Sequence, residues 1–290
     1  MCVLTCYISR RGSTPIQHAI KRIHCQLGQP FLRWAGSKRR LVSVLRTYWK
    51  PSHTRYLEPF AGSSCLFFSL NPPKAILGDV NADLISTYLE VKYRPDALIR
   101  ELAKLRRGKQ HYKKLRSISP AELVRSARAA RFIYLNRYCF NGLYRTNLKG
   151  EFNVPYGGKK SGNLPSADVL KLCSKRLRRT RLMKGDFERV LQQARTGDFV
   201  YLDPPFAVRS RRVFSEYHPD SFRDDDIARL RKWMQKLDRK GISFLVSYAE
   251  SAEAHVLAAG FACRRISVKR NIAGFAGDRS NSIETLISNN

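Results

Sequence analysis

Long apolar runs are absent from this 290-residue sequence. A membrane-spanning helix needs roughly 18 consecutive apolar residues, and no stretch approaches that length. The opening MCVLTCYISRRGS has too short an apolar core for a secretory signal, and its charges follow that core instead of preceding it. We therefore expect no membrane partner and a cytoplasmic location.

Acidic residues are few. Asp and Glu total 23 against 54 Lys and Arg, which gives a formal net charge of +31. Such an excess is typical of a protein that binds a polyanion or an anionic membrane surface. Because no membrane segment is predicted, nucleic acid is the favoured partner, and a basic surface that is merely well solvated is the alternative.

Paired cysteines are missing as well. The seven cysteines are odd in number and scattered, which indicates a reducing compartment and not a disulfide framework. Cys2, Cys6, His24 and Cys25 have the chemistry of zinc ligands, but they lack the paired C-x-x-C spacing. We therefore predict no metal site.

The chain divides into segments of different pattern. Residues 1–28 show no sustained period and predict a poorly ordered N-terminal extension. Residues 29–89 and 179–290 alternate short apolar strands with helical patterns, which predicts an α/β domain built on one mostly parallel sheet. Residues 90–178 are mostly helical and rich in Arg and Lys, so they predict an inserted domain that contacts phosphate and determines specificity.

Two helix starts are predicted from capping residues. Ser37 is expected to cap a helix that ends before Pro51. The SPAE segment at 119–122 has the form of a capping box with proline in the first helical position. The helix that it begins is predicted to continue through LVRSARAARFIYLN.

Loops are predicted at the carboxyl ends of strands, where open α/β sheets bind ligands. EPFAGSS, from Glu58, lacks G-x-G-x-x-G and favours a nucleoside cofactor without phosphates. Asp79 lies about twenty residues further on, where an acid commonly accepts ribose hydroxyls. Asp186 and Phe187 offer a hydrogen-bonding group and a stacking ring for an adenine. Each acid alone is more often a helix cap, whereas together they favour a binding site.

The last of these loops is YLDPPF, residues 201–206. An Asp beside two prolines is most often a turn that ends a strand. A nucleobase amino group, however, is a poor nucleophile because its lone pair is delocalised into the ring. A carboxylate and a carbonyl at fixed angles accept both of its N–H bonds and favour a more tetrahedral amine. An aromatic ring can then stack on a base that has left the helix, so we prefer the functional interpretation.

The ordered motifs resemble a known family, the Dam-type (D12 class) DNA adenine-N6 methyltransferases. The resemblance runs from Phe31 to Asn289. It rests on FLRWAGSKRRL, YLEPFAGSS, LGDVN, RYCFNGLYRTNLKGEFNVPYG, KGDF, YLDPPF and ETLISN. It implies a Rossmann-like S-adenosylmethionine-dependent methyltransferase sheet with an inserted helical target-recognition domain. The implied activity is methyl transfer from S-adenosyl-L-methionine to a flipped-out adenine in double-stranded DNA, by a monomeric enzyme of bacterial or phage type.

The resemblance also assigns residues to roles. The cofactor-binding set is Trp34, Lys38, Glu58, Phe60, Gly62, Asp79, Val80, Asp186, Phe187 and Asp203. The catalytic set is Asp203, Pro204, Pro205 and Phe206. The DNA-binding set is Arg33, Tyr138, Asn141, Tyr144 and Arg145. Arg145 is the candidate base reader, because an Arg can bond a guanine through two donors. The Asn141-Gly142 pair also predicts a tight turn.

The sequence departs from the family pattern in three places. Phe206 stands where the family usually has Tyr, which keeps the stacking ring without its hydroxyl. Ser64 and Ser37 each stand where glycine is commoner, and the first could weaken cofactor binding. The Arg-rich segment 206–222 is predicted to close over the flipped base, with a plain surface loop as the alternative. Methylation of an RNA base and a non-catalytic DNA-binding relative are the alternative functions.

Overall fold

A computed structural model describes residues 28–147, 149–205, 222–269 and 281–289. Residues 1–27 of the predicted N-terminal extension, Phe206 and nearly all of the predicted closing loop lie outside the described residues. The described strands form a seven-stranded sheet in the order β3-β2-β1-β4-β5-β7-β6. The strands are β1 Arg55–Glu58, β2 Ala75–Asp79, β3 Thr180–Lys184, β4 Asp198–Leu202, β5 Ser243–Ala249, β6 Ala262–Lys269 and β7 Asn281–Ser288.

Strand pairing confirms the mostly parallel sheet. β2 pairs in parallel with β1 and β3, and β4 pairs in parallel with β1 and β5. β7 inserts antiparallel between β5 and β6. Because parallel strands point the same way, the residues that follow β1, β2, β4 and β5 meet at one edge of the sheet, here called the carboxyl edge.

Helices cover both faces of the sheet. The α-helices among the described residues are α1 Val42–Leu45, α2 Cys65–Leu70, α3 Ala82–Tyr93, α4 Pro95–Ala103, α5 Lys109–Ser117, α6 Arg125–Tyr138, α7 Ala167–Leu177, α8 Phe187–Leu191, α9 Asp224–Arg239 and α10 Ala252–Ala258. Short 3-10 helices span Lys38–Leu41, Arg46–Tyr48, Pro120–Glu122, Phe140–Gly142 and Gly158–Lys160.

The strand residues alternate between two cores, as the twofold period of a strand requires. Phe199 and Tyr201 of β4 pack with the α3, α6 and α7 side of the molecule. Val200 and Leu202 pack with α9 and α10 on the other face. All five residues of β4 are buried, which explains why the segment after Asp198, FVYL, has no polar face.

The helical block shares the core of the sheet. α6 contributes Ala129 and Ile133 to the same buried cluster as Tyr201. A separate small core around Tyr112 and Val154 belongs to the block alone. The proposed domain boundaries at residues 90 and 178 stay a prediction.

The capping predictions were partly wrong. The side chain of Ser37 makes no cap bond, because its Oγ lies 3.0 Å from the Oγ of Ser63 in the neighbouring loop. The Ser119 hydroxyl accepts a bond from the backbone N–H of Ala121, but it starts only a three-residue 3-10 turn. Extended backbone at Leu123 and Val124 interrupts the predicted helix, which begins at Arg125 instead.

Candidate active site

Asp203 is the first residue after β4, at the carboxyl edge. Its Oδ1 lies 2.7 Å from Lys38 Nζ and accepts a 3.0 Å hydrogen bond from Ser247 Oγ. Of the two prolines that follow, Pro204 is buried and Pro205 is exposed. The strand-end turn and the interpretation as a site are therefore compatible, since the turn presents a carboxylate that stays 21% exposed.

Lys38 is a buried cation beside this carboxylate. Its Nζ also lies 3.7 Å from a carboxylate oxygen of Glu284 in β7 and bonds the Gly36 carbonyl. Burial alone would lower the pKa of Lys38, but Asp203 and Glu284 outweigh it and raise that pKa. Lys38 therefore carries its charge at neutral pH and keeps Asp203 paired.

Gly62, in the loop after β1, lies close to the ring of Trp34. A Cβ on Gly62 would lie 2.8 Å from Cδ1 of Trp34, and its φ of +44° also favours glycine. The Gly62 carbonyl accepts a 3.0 Å bond from the Tyr88 hydroxyl. Ser64, one of the departures from the family pattern, has a left-handed φ of 46°, so a serine here occupies backbone space suited to glycine.

The side chain of Asp79 connects the loop after β1 with the loop after β2 by hydrogen bonds. Its Oδ2 accepts from the Gly62 N–H at 3.0 Å and its Oδ1 from the Asn81 N–H at 2.9 Å. Burial raises the pKa of Asp79, and these two bonds oppose the shift. Val80 beside it is exposed, as a residue that lines a binding site would be.

Glu58 ends β1 as a buried carboxyl group, only 3% exposed. Burial raises its pKa well above the ordinary value, and the nearby Asp203 and Asp79 add to the shift. Among the described residues, its Oε2 has no hydrogen-bond partner. This buried, unpartnered oxygen suits a ligand that brings a positive charge.

Asp186 and Phe187 start α8 beside Phe60. Asp186 Oδ1 accepts from the Glu188 N–H and pairs with Arg229 at 2.8 Å. The Phe187 ring stacks on Phe60 at 5.3 Å between centroids, and the Arg229 guanidinium lies 4.8 Å from its centroid. The structure thus brings all three predicted residues together, but Phe187 is buried and already packed on another ring.

The predicted DNA-contacting residues lie in a turn region after α6. Asn141 and Gly142 have φ angles of 53° and 69°, which confirms the tight turn. The Arg145 Nε donates to Asn153 Oδ1 at 2.8 Å, which orients the guanidinium. Phe140 and Leu143, which the sequence did not single out, flank the turn with exposed apolar side chains.

The other predicted contacts are less exposed. Tyr138 is buried, with its ring 4.7 Å from that of Tyr134. Arg33 is half-buried, and its backbone N–H bonds the side chain of Asn136, 103 residues away. Tyr144 stacks on Trp34 with 5.9 Å between ring centroids. These residues brace the turn against the loop that carries Trp34.

Sequence reasoning missed three residues around Asp203: Ser247, Tyr201 and Glu284. Glu284 lies in the ETLISN motif, but only the pairing of β7 with β5 shows that it reaches Lys38. Ser247 interrupts the apolar run FLVSY of β5 at the carboxyl edge. A polar residue within a buried strand was the available signal.

The described residues contain neither a membrane-spanning helix nor a metal cluster. Across residues 28–147, 149–205, 222–269 and 281–289, no helix is long and apolar enough to cross a membrane. In the same ranges no group of three or more His, Cys, Asp or Glu side chains could hold a metal ion. The positions Cys2, Cys6, His24 and Cys25 lie outside those ranges.

The sheet and the acidic carboxyl edge define a Rossmann-like methyltransferase fold. Comparison with known proteins then gives the family: residues 34–272 match the D12 class N6 adenine-specific DNA methyltransferases, and the chain belongs to that family. This confirms the resemblance carried by the motifs and makes the chain a DNA adenine methyltransferase.

Individual relatives are similar in sequence to this protein over most of its length. A type II methyltransferase of Lactococcus lactis subsp. cremoris, M1.LlaDCHI, is 34% identical over 90% of this chain and 95% of its own. The type II methyltransferase M.MjaIII of Methanocaldococcus jannaschii is 35% identical over 90% and 99%. The DNA adenine methylase of Escherichia coli K12 is 31% identical over 88% and 93%.

Proposed function

We propose that this chain transfers the methyl group of S-adenosyl-L-methionine to N6 of a flipped-out adenine in duplex DNA. The observation that carries the proposal is the Asp203 carboxylate. It is fixed by Lys38 and Ser247 at the carboxyl edge and followed by two prolines. A cytoplasmic location and a monomeric state stay predictions.

The residues at the carboxyl edge fit a nucleoside cofactor without phosphates. Asp79 supplies a carboxylate for ribose hydroxyls, and the close approach at Gly62 allows a ligand to contact backbone. Glu58 supplies a buried carboxyl oxygen without a partner, suited to the ammonium of a methionine moiety. When bound, the cofactor would supply an electrophilic sulfonium methyl group: the N6 lone pair would form the new C–N bond as the C–S bond breaks, the thioether would leave, and the methylated amine would release one N–H proton to solvent.

The adenine edge of the site would be formed by Asp186 and Phe187. Asp186 is half-exposed, so its carboxylate is accessible although Arg229 pairs with it. Phe187 is held by Phe60, and we propose that the adenine of the cofactor lies against this pair of rings. Trp34, Lys38 and Val80 would complete the cofactor site.

Asp203 prepares the target amine. Its carboxylate and the carbonyl of Pro204 would accept the two N–H bonds of N6, which favours a tetrahedral nitrogen with a localised lone pair. The proline rings hold the backbone, so these acceptors cost little reorganisation when the base arrives. Phe206 is proposed to stack on that base.

The inserted helical domain, residues 90–178, would bind the DNA. The net charge of +31 supplies attraction to phosphate that does not depend on sequence. We expect Asn141 to contact the duplex together with Phe140 and Leu143, whose exposed side chains flank the same turn. Arg145, oriented by Asn153, would read a base, while Arg33, Tyr138 and Tyr144 support the turn.

The test uses S-adenosylmethionine labelled in its methyl group. Label should appear at adenine N6 in duplex DNA and not in RNA of the same sequence. Asp203→Ala should abolish transfer while DNA affinity is retained, and Asp225→Ala, which removes an exposed acid outside residues 90–178, should behave like the wild type. Label in RNA alone would support an RNA methyltransferase. DNA binding without label on any substrate would support a non-catalytic relative.

A further inference from the structure

A chain of buried hydroxyl groups ends at Asp203. The Tyr201 hydroxyl lies 2.8 Å from Ser247 Oγ, and Ser247 Oγ lies 3.0 Å from Asp203 Oδ1. Tyr201 and Ser247 are each 1% exposed. Tyr201 and Ser247 lie in the paired strands β4 and β5. The strand register aligns Leu202 with Val246, so the next residues, Asp203 and Ser247, also lie side by side.

The direction of these hydrogen bonds follows from donor counting. Asp203 is paired with the charged Lys38, so it is a carboxylate and can only accept. Ser247 must therefore donate its single O–H proton to Oδ1. Its oxygen is then left to accept the proton of Tyr201, whose pKa is raised by burial and by Asp203, so that this phenol stays protonated. The bonds run in one direction, from Tyr201 through Ser247 to Asp203.

The two acceptor oxygens of Asp203 consequently differ. Oδ1 accepts hydrogen bonds from Ser247 at 3.0 Å and from Lys38 at 2.7 Å. These two donors occupy both lone pairs of that oxygen. The amine must therefore bond to Oδ2. Rotation of the carboxyl group would exchange the two oxygens. Lys38 alone does not select between them, because its N–H donors rotate about the bond to Nζ.

We infer that Ser247, supported by Tyr201, is a positioning residue for the methyl transfer. It fixes the rotation of the Asp203 carboxylate so that Oδ2 is presented to the adenine amine. Both residues are part of rigid strands, which hold a site more closely than loops do. The inference rests on the proposed role of Asp203, and neither Ser247 nor Tyr201 needs to touch substrate or cofactor.

The first test compares Ser247→Ala with a matched control. Ser247→Ala should lower kcat about 10- to 100-fold, as expected for a misaligned reacting group, with the affinities for cofactor and DNA changed less than about threefold. Ser174→Ala also removes a buried serine hydroxyl, but that hydroxyl donates to the Lys92 carbonyl near the amino end of β3. Its kcat should equal that of the wild type. Ser247→Thr, which retains a hydroxyl, should recover part of the lost kcat.

The second test examines the hydrogen bond that Tyr201 donates to Ser247. Tyr201→Phe should lower kcat about threefold, the effect of one lost hydrogen bond. In the Ser247→Ala background the same change should have no further effect on kcat, because Tyr201 acts only through Ser247. A merely structural role for Tyr201 would instead lower the melting temperature equally in both backgrounds and leave kcat unmoved.

The outcomes separate the two proposals. A wild-type protein that transfers no methyl group to duplex DNA would overturn the proposed function and this inference with it. An active wild type with an unchanged kcat in Ser247→Ala would overturn the inference alone. Equal losses of kcat in Ser247→Ala and Ser174→Ala would also overturn it, since general destabilisation would then explain both.

Discussion

The ring of Tyr144 stacks on the indole of Trp34, with centroids 5.9 Å apart and planes inclined by 18°. Tyr144 follows the turn that is proposed to contact DNA, and Trp34 lies against Gly62 in the loop that is proposed to hold the cofactor. Phe132 of α6 stacks on Trp34 as well. The column of rings therefore connects the two proposed binding sites directly.

Replacing Tyr144 is expected to weaken cofactor binding in the absence of DNA. Tyr144→Ala removes a stack worth about 0.5–1.5 kcal/mol, and Trp34 then loses the ring that holds it against Gly62. We expect cofactor affinity, measured by isothermal titration calorimetry, to fall about 2- to 10-fold. Tyr144→Phe keeps the ring and should bind like the wild type. If Tyr144→Ala weakens DNA binding and leaves cofactor affinity unchanged, Tyr144 is only a DNA contact. The column of rings would then not connect the two binding sites energetically.

Glu58 should make stability and cofactor binding depend on pH. Burial raises the pKa of Glu58, so the folded protein retains this proton to a higher pH than the unfolded chain. The resulting stabilisation is present at low pH and is lost as pH rises through the raised pKa. Glu58→Gln cannot ionise, so in urea unfolding its stability relative to the wild type should increase as pH rises above about 4.5, the ordinary pKa of Glu.

The same residue should link cofactor binding to proton release. An ammonium that pairs with Glu58 favours its charged form, so wild-type affinity should rise with pH and binding should release a proton. Calorimetry in buffers of different ionisation enthalpy measures that proton. Glu58→Gln should abolish the release, whereas the exposed Glu122→Gln should leave it unchanged. A wild-type affinity that does not vary with pH would exclude this pairing.

The carboxyl edge was predictable because its residues follow a local rule. Glu58 and Asp79 each end a short apolar strand and Asp203 directly follows one, and parallel strands bring such ends together. The partners of Ser247 and Arg33 were not predictable. Ser247 is marked only as a polar residue in an apolar run, and strand pairing brings it to Asp203, while Arg33 bonds Asn136 across 103 residues.

Some wrong predictions came from local rules that tertiary contacts override. Ser37 stands at a helix start, yet its hydroxyl bonds Ser63 in the next loop. The adenine-stacking role of Phe187 stays a prediction, and the structure adds a contact that the sequence did not indicate, because the ring packs on Phe60. The sequence shows which residue types are present, whereas the choice among competing partners depends on the packed fold.

Arg145 should determine specificity at one base. Its Nε is bound to Asn153, so the guanidinium has a fixed direction suited to two bonds with a guanine. Arg145→Lys retains the charge but loses the paired donors, which should cost about 1–3 kcal/mol at that base. Sequencing of methylated adenines in a host genome should then show relaxed preference at one position of the site. Asn153→Ala should give a smaller relaxation of the same kind. A uniform loss of methylation across sites would show that Arg145 contacts phosphate.

The Arg55–Asp198 pair should stabilise the fold without affecting the chemistry. Asp198 is fully buried at the start of β4, and Arg55 in β1 binds both of its oxygens, at 3.0 Å and 2.7 Å. Removing Arg55 leaves a buried charge unpaired, so Arg55→Ala should lower the free energy of unfolding by about 3–5 kcal/mol in urea titrations. The pair lies at the end of β4 opposite Asp203, so kcat of the folded protein should not change. Lys104→Ala breaks the more exposed pair with Glu101 and should cost less than about 1 kcal/mol. Equal losses of stability in the two variants would mean that burial of Asp198 does not determine the effect.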